Sequence, residues 1–158
     1  MSLSSDLPGT WRLESRIDVT KDGKQHPEPL LGQDPIALLF LDRAGNFAAQ
    51  FMKRDRSTLM MPAAPGAAGG PAGAAVPKNN TQPQAGYDAY FGTYTVDDAT
   101  GVTTHTITAS LSPGSVGLVL KRSMEVRGDT LRLQLETTAV DGTPVLRTLT
   151  WRRVGTAG

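Results

Sequence analysis

Cysteine is absent from the 158 residues. That excludes disulfides, thiolate metal sites and cysteine nucleophiles together. An excess of one charge is also missing: 16 Lys and Arg face 15 Asp and Glu, a formal net charge of +1. No basic stripe of the kind that follows a nucleic-acid backbone stands out, so nucleic acid is not an expected partner. The longest strongly apolar run, Ile36 to Leu41, has six residues, against the ~20 that a spanning helix needs. No membrane partner is expected either. Met1 to Pro8 has neither the basic nor the apolar part of a secretory leader. Together with the missing cysteines, this predicts a cytoplasmic protein. Two distant histidines cannot supply the three or four convergent ligands of a metal site. There is no nucleotide fingerprint and no Gly-x-Ser-x-Gly elbow. The Gly-x-x-Gly in Pro113-Gly114-Ser115-Val116-Gly117 opens no helix, and reads as a hairpin loop. No cofactor is expected.

What is present is period-two alternation, the mark of half-buried strands. Trp11, Leu13, Ser15, Ile17 and Val19 alternate with Arg12, Glu14, Arg16 and Asp18. Leu118, Leu120, Met124 and Val126, and then Leu131, Leu133 and Leu135, do the same against polar neighbours. Turn residues at Asp42–Asn46, Asp97–Gly101, Ser112–Gly114, Arg127–Asp129 and Asp141–Pro144 separate the runs. The pattern predicts eight strands near 9–19, 36–41, 46–52, 87–96, 102–110, 117–126, 130–138 and 145–153. No 3.6-residue stripe persists for three turns, so the fold class is all-β. Eight sequential hairpin-linked strands suit an up-and-down barrel, whose closure removes exposed edges. A two-sheet sandwich is the rival. A length of 158 residues suits one domain. An eight-stranded barrel is just wide enough to hold one small ligand.

One stretch breaks the rhythm. Residues 53–86 include eight Ala, five Gly and five Pro, and from Ser57 to Gly86 the only charge is Lys78. Connections longer than ~12–15 residues are usually lids or disordered insertions. The Ala/Gly/Pro content predicts an insertion without a long helix or strand. Leu59-Met60-Met61 is the apolar cluster that could make it a lid.

Gly9-Thr10-Trp11 resembles the Gly-x-Trp signature that opens the first strand of lipocalins, and Trp151-Arg152-Arg153 resembles their closing strand. The wider pattern is similar to that of the bacterial and fungal lipocalin-like domain family. Matching stretches are Gly9–Leu13, Gly45–Gln50, Tyr90–Tyr94, Thr104-His105, Arg122 and Leu149–Arg153. The resemblance covers nearly all of the chain outside 53–86. It implies a barrel with an internal pocket, closed at one end by Trp11 with Arg152 or Arg153 over its ring. It implies no particular substrate.

Candidate site residues follow from strand parity. His105 lies opposite in parity to Thr104, Thr106 and Thr108, whose hydroxyls suit a wet face, so its ring should point inward. There it is either a core histidine satisfied by one hydrogen bond, or an acid, base or ligand donor. Tyr90 and Tyr94 share one face, and a short turn would bring Tyr94 beside His105. Arg122 falls among Leu118, Leu120, Met124 and Val126. A buried guanidinium needs a partner, either a carboxylate or a ligand oxygen. His26, in the proline-bounded Gln25–Pro29, reads as solvated. Asp88 and Glu125 read as outer-face residues.

Two functions from different classes are compatible with these residues. One is binding of a small, largely apolar molecule, aromatic or carbonyl-bearing, against Tyr94, Phe51, Leu120 and Met124. The other is a cofactor-independent isomerase, cyclase or lyase using His105, Tyr90 and Arg122. A small-molecule ligand or substrate is the expected partner, and a homo-oligomer is compatible with either function.

Overall fold

The computed structural model describes residues 2–57 and 76–156. After a one-turn helix α1 (Leu3–Asp6) come β1 (Gly9–Val19), a two-residue β2 (Gln25–His26), β3 (Ile36–Leu41) and β4 (Asn46–Met52). Then follow β5 (Tyr87–Asp97), β6 (Val102–Ser110), β7 (Val119–Arg127), β8 (Thr130–Thr138) and β9 (Pro144–Thr156). Strands β3 to β9 pair antiparallel in chain order, and β9 returns to β1 from Gly9↔Thr156 to Val19↔Leu146. The eight-stranded barrel is closed. The strand positions expected from alternation agree to within three residues at each end. Closure leaves no long ladder of unpaired backbone groups, which is what a chain of short hairpins needs. Among the described residues no helix is long and apolar enough to cross a membrane.

One barrel end is plugged as the resemblance implied. Trp11 is fully buried, and its indole Nε1 donates to the Leu7 carbonyl at 2.9 Å. The Arg153 guanidinium lies 4.2 Å from the ring centroid, a cation–π contact. Arg152, the alternative candidate for this position, instead points outward and pairs with Glu14 at 2.6 Å. Val154 has no partner in the β1–β9 register, where Thr10↔Gly155 is followed by Trp11↔Arg153. The capping box of Ser2 and Ser5 holds α1, and Ser4 ties it to Asp98 through its backbone N–H at 2.8 Å and its hydroxyl at 2.6 Å.

A second irregularity matters more. The register runs Leu13↔Trp151 and then Ser15↔Thr150, so Glu14 is an extra residue in β1. Such a bulge exchanges the two faces of the strand beyond it. Arg16 and Asp18, which simple alternation sends outward, are therefore buried, while Ile17 is 39% exposed. His26 also departs from the expectation of a solvated loop. It pairs with Asp18 in the β1–β2 ladder, and its Nε2 is 3.2 Å from Asp141 Oδ2.

Candidate functional site

The barrel encloses a cavity of about 50 Å³, partly open to solvent at its mouth. A ring such as benzene needs roughly 150 Å³, so a ligand of that size would extend toward the mouth. The apolar wall includes Leu39, Phe47, Phe51, Leu120, Met124 and Trp151. Phe51 meets Trp151 edge-on at 5.7 Å and stacks with Tyr90 at 6.5 Å. These large side chains supply the dry surroundings in which a few polar groups act strongly.

Six titratable residues share the wall: Arg16, Asp88, Tyr90, His105, Arg122 and Arg147. Two of the three arginines have carboxylate partners. Arg147 grips Asp18 with two hydrogen bonds, at 2.7 and 2.9 Å. Arg16 meets Glu28 at 2.5 Å. Burial pushes the Glu28 carboxyl up, but Arg16, Arg147 and the Leu31 N–H outweigh it and hold it below its ordinary value.

Arg122 is different. Its Nη1 donates to the carbonyls of Asn79 and Lys121, both at 2.8 Å, and its Nη2 donates to Asn80 Oδ1 at 3.2 Å. Among the described residues no carboxylate pairs with it. A guanidinium carries five N–H donors, and these three bonds leave two of them unused among the described residues. Burial, with repulsion from Arg147, lowers its pKa to about 10. It still carries its charge at neutral pH.

The His105 ring is clamped between Phe47, edge-on at 4.6 Å, and Tyr94, stacked at 5.9 Å. Its Nε2 lies 2.9 Å from the Thr103 hydroxyl. Burial and the nearby Arg122 push its pKa down to about 3. The imidazole is neutral at physiological pH and too weakly basic to hold a proton there. It can still exchange hydrogen bonds. Tyr94 pairs directly with His105, as the short turn suggested. Its hydroxyl, however, donates to the Asp42 carbonyl at 2.7 Å, and its ring backs His105 without lining the cavity. Tyr90 does line it, and burial raises its phenol to about 12.

Asp88 corrects the sequence expectation. It is 3% exposed and part of the cavity wall. Its Oδ2 accepts from the Thr81 hydroxyl at 2.5 Å, while its Oδ1 is buried with no hydrogen-bond partner among the described residues. Burial raises the carboxyl to about 6, against the pull of Thr81 and Arg16. Trp151, also in the wall, has a buried indole N–H without a partner among the described residues. Glu125 does lie outside, paired with Arg127 and Arg132.

Asp88 shares the parity of Tyr90 and Tyr94, and Arg147 that of Leu149 and Trp151. The signal that picked out Arg122 was thus available for both. Arg16 could not be found this way, because the bulge at Glu14 reverses its side.

The far part of the insertion forms one side of the cavity. Asn80, Thr81 and Pro83 line it. Asn79 exchanges hydrogen bonds with the Lys121 backbone, and the Thr137 hydroxyl donates to the Lys78 carbonyl at 2.7 Å. The polar run Lys78–Gln82 inside an Ala/Gly/Pro-rich stretch was the available hint. Leu59-Met60-Met61, the expected lid cluster, lies outside the described residues.

Residues 8–154 match the lipocalin-like domain family. The chain belongs to that family. The match spans nearly the whole barrel, from before Trp11 to beyond Arg153. No curated protein matches the sequence significantly. A lipocalin-like barrel is an architecture suited to enclosing a small molecule, and this one places Arg122 and Asp88 in its interior wall. Membership names no ligand, since one fold serves many functions.

Proposed function

We propose that this protein binds a small, largely apolar molecule in its barrel, and that the molecule carries a carbonyl or anionic oxygen held by Arg122. The observation that carries this reading is the Arg122 guanidinium, 6% exposed in an aromatic-walled cavity, with no carboxylate partner among the described residues. A buried, unpaired charge costs several kcal/mol, and the two neighbouring arginines have their carboxylates. A ligand oxygen would take up the unused N–H donors. Phe51, Leu120 and Met124 would pack against its apolar body, and Tyr90 would add a hydroxyl. Tyr94 would act from behind, by holding the His105 ring.

Trp151 lies in the cavity wall and makes a built-in reporter. Titrating the protein with benzoate, with 2-tetralone and with oxygen-free tetralin, while following tryptophan emission, tests the reading. The two oxygen-bearing compounds are expected to bind more tightly than tetralin. Arg122→Met keeps the bulk and removes the charge. It should weaken benzoate by ~1.5–3 kcal/mol, the worth of a charge-assisted hydrogen bond, while leaving tetralin unchanged. Equal affinity of the parent and Arg122→Met for the oxygen-bearing compounds would place the site elsewhere.

The second reading, a cofactor-independent isomerase, cyclase or lyase, is favoured by one observation. A buried carboxylate, Asp88, shares the cavity with Arg122 and has an oxygen without a partner among the described residues.

A further inference from the structure

Resting on the reading of the cavity as a site for a carbonyl-bearing ligand, we infer that Asp88 is a catalytic base that takes a proton from the carbon next to that carbonyl and returns it to the same or to the far carbon, with Arg122 holding the oxygen. The barrel would then be a double-bond isomerase that works through an enolate, acting on small cyclic or aromatic ketones.

The inference stands on what the cavity wall leaves unsatisfied. Buried polar atoms are nearly always hydrogen-bonded, so each exception calls for a reason. Among the described residues the exceptions fall in one cavity: Asp88 Oδ1, an acceptor, and Trp151 Nε1, a donor. Arg122 adds N–H donors unused among the described residues. An acceptor that can take a proton and a cation that can hold an oxygen are the two parts enolisation needs. The Thr81 hydroxyl holds Asp88 by its Oδ2, leaving the other oxygen for chemistry.

The steps balance. The ionised Asp88 takes a proton from the carbon next to the carbonyl. The C–H electron pair becomes the C=C bond of an enolate, and the negative charge moves to the oxygen beside Arg122. Asp88, now a carboxylic acid, returns the proton. Return to the same carbon, after the carboxyl proton has exchanged with water, gives exchange with solvent, and delivery to the far carbon of a β,γ-unsaturated ketone gives its conjugated isomer. Tyr90 stays protonated, with its phenol raised to about 12, and can donate to the enolate oxygen.

The charged and titratable groups that share the cavity wall with Asp88 are Arg16 on β1, Tyr90 on its own strand β5, His105 on β6, Arg122 on β7 and Arg147 on β9. Asp88 supplies the carboxylate of this set. Its carboxyl, raised to about 6 by burial, matches the working range of a base. His105, pushed down to about 3, does not.

The test uses the intact protein with two probes. Deuterium uptake next to the carbonyl of 2-tetralone is followed by NMR. Conversion of cyclohex-3-enone to cyclohex-2-enone is followed by the ultraviolet absorbance of the conjugated product. Both rates should exceed those in acetate buffer and rise as pH climbs through about 6, as Asp88 ionises. Asp88→Asn should lower kcat by ~10²-fold or more with KM little changed, since positioned acid–base groups supply ~10²–10⁴-fold. Arg122→Met should lower kcat/KM. Ketones that bind without exchange or isomerisation, or an Asp88→Asn variant that keeps the parent's rate, would overturn this inference and leave the binding reading standing. If neither ketone changes the tryptophan emission or turns over, the binding reading falls, and this inference with it.

Discussion

Asp88→Asn should stabilise the fold at neutral pH, although it removes a charge and a strong hydrogen-bond acceptor. In the folded protein the Asp88 carboxyl is raised from 3.8 to about 6, with burial as the main cause. A raised acid is destabilising when ionised. The folded state must carry a buried carboxylate that the unfolded chain would expose to water. Below about pH 4 the group is protonated in both states, and the penalty is absent. It grows as pH rises between the two values and is fully present above about 6. Moving a carboxyl that far corresponds to roughly 3 kcal/mol at the upper limit. Relaxation around the site reduces this, so a gain of about 1–3 kcal/mol is the expected scale for the amide. The Asn side chain keeps an oxygen for the Thr81 hydroxyl, which limits the loss on the other side.

The assay is urea unfolding of parent and variant, followed by far-ultraviolet circular dichroism at pH 7.5 and pH 4.5. Glu28 and the other carboxylates titrate in both proteins, so they cancel in the difference between the two. The variant should be the more stable at pH 7.5, and the gap should narrow markedly at pH 4.5. A variant less stable than the parent by more than about 1 kcal/mol at pH 7.5 would refute the reasoning. A gap that does not change with pH would do the same. Stability given up at one buried group is what a functional site is expected to show.

Two structural predictions follow from the barrel itself. Trp11→Ala should cost ~3–5 kcal/mol in chemical denaturation, as for other large buried aromatics. It empties the plug, unseats the Arg153 guanidinium and frees the Leu7 carbonyl. A loss below about 1 kcal/mol would mean that the end is not closed as described. Gly92→Ala should be destabilising by at least ~1–3 kcal/mol, the usual cost of overpacking. A Cβ there would lie 1.8 Å from the Thr106 carbonyl oxygen, and backbone cannot step aside as a side chain can. An unchanged thermal midpoint for that variant would contradict the close approach of β5 and β6 at the irregularity after Phe91.

Much of the site was readable in parity. Tyr90, His105, Arg122, Phe51, Leu120 and Met124 all line the cavity, because each sits in step with apolar neighbours on a regular strand. Asp88 and Arg147 carry the same signal, and their charge is what argued against it. Tyr94 shows the reverse. Its parity is right and it is buried, yet its hydroxyl is taken by Asp42 and its ring serves to back His105.

Alternation and turn residues by themselves determined the all-β class, the strand positions and the inward set on the regular strands. Each follows from local geometry, since side chains of a strand alternate regardless of what the strand pairs with. Tertiary structure decided the rest. Whether Arg16 and Asp18 face in depends on one extra residue, Glu14, in the β1–β9 ladder, and a bulge exists only relative to a partner strand. Which arginine covers Trp11 depends on the pairing of β1 with β9, which sets Trp11 opposite Arg153 in the register that sets Leu13 opposite Trp151. Arg16 and Arg147 have carboxylates while Arg122 has none among the described residues, a difference set by packing across the barrel between residues far apart in the chain. The pKa of Asp88 depends on burial, which exists only once the strands close around it and Asn80 and Thr81 fold over the cavity.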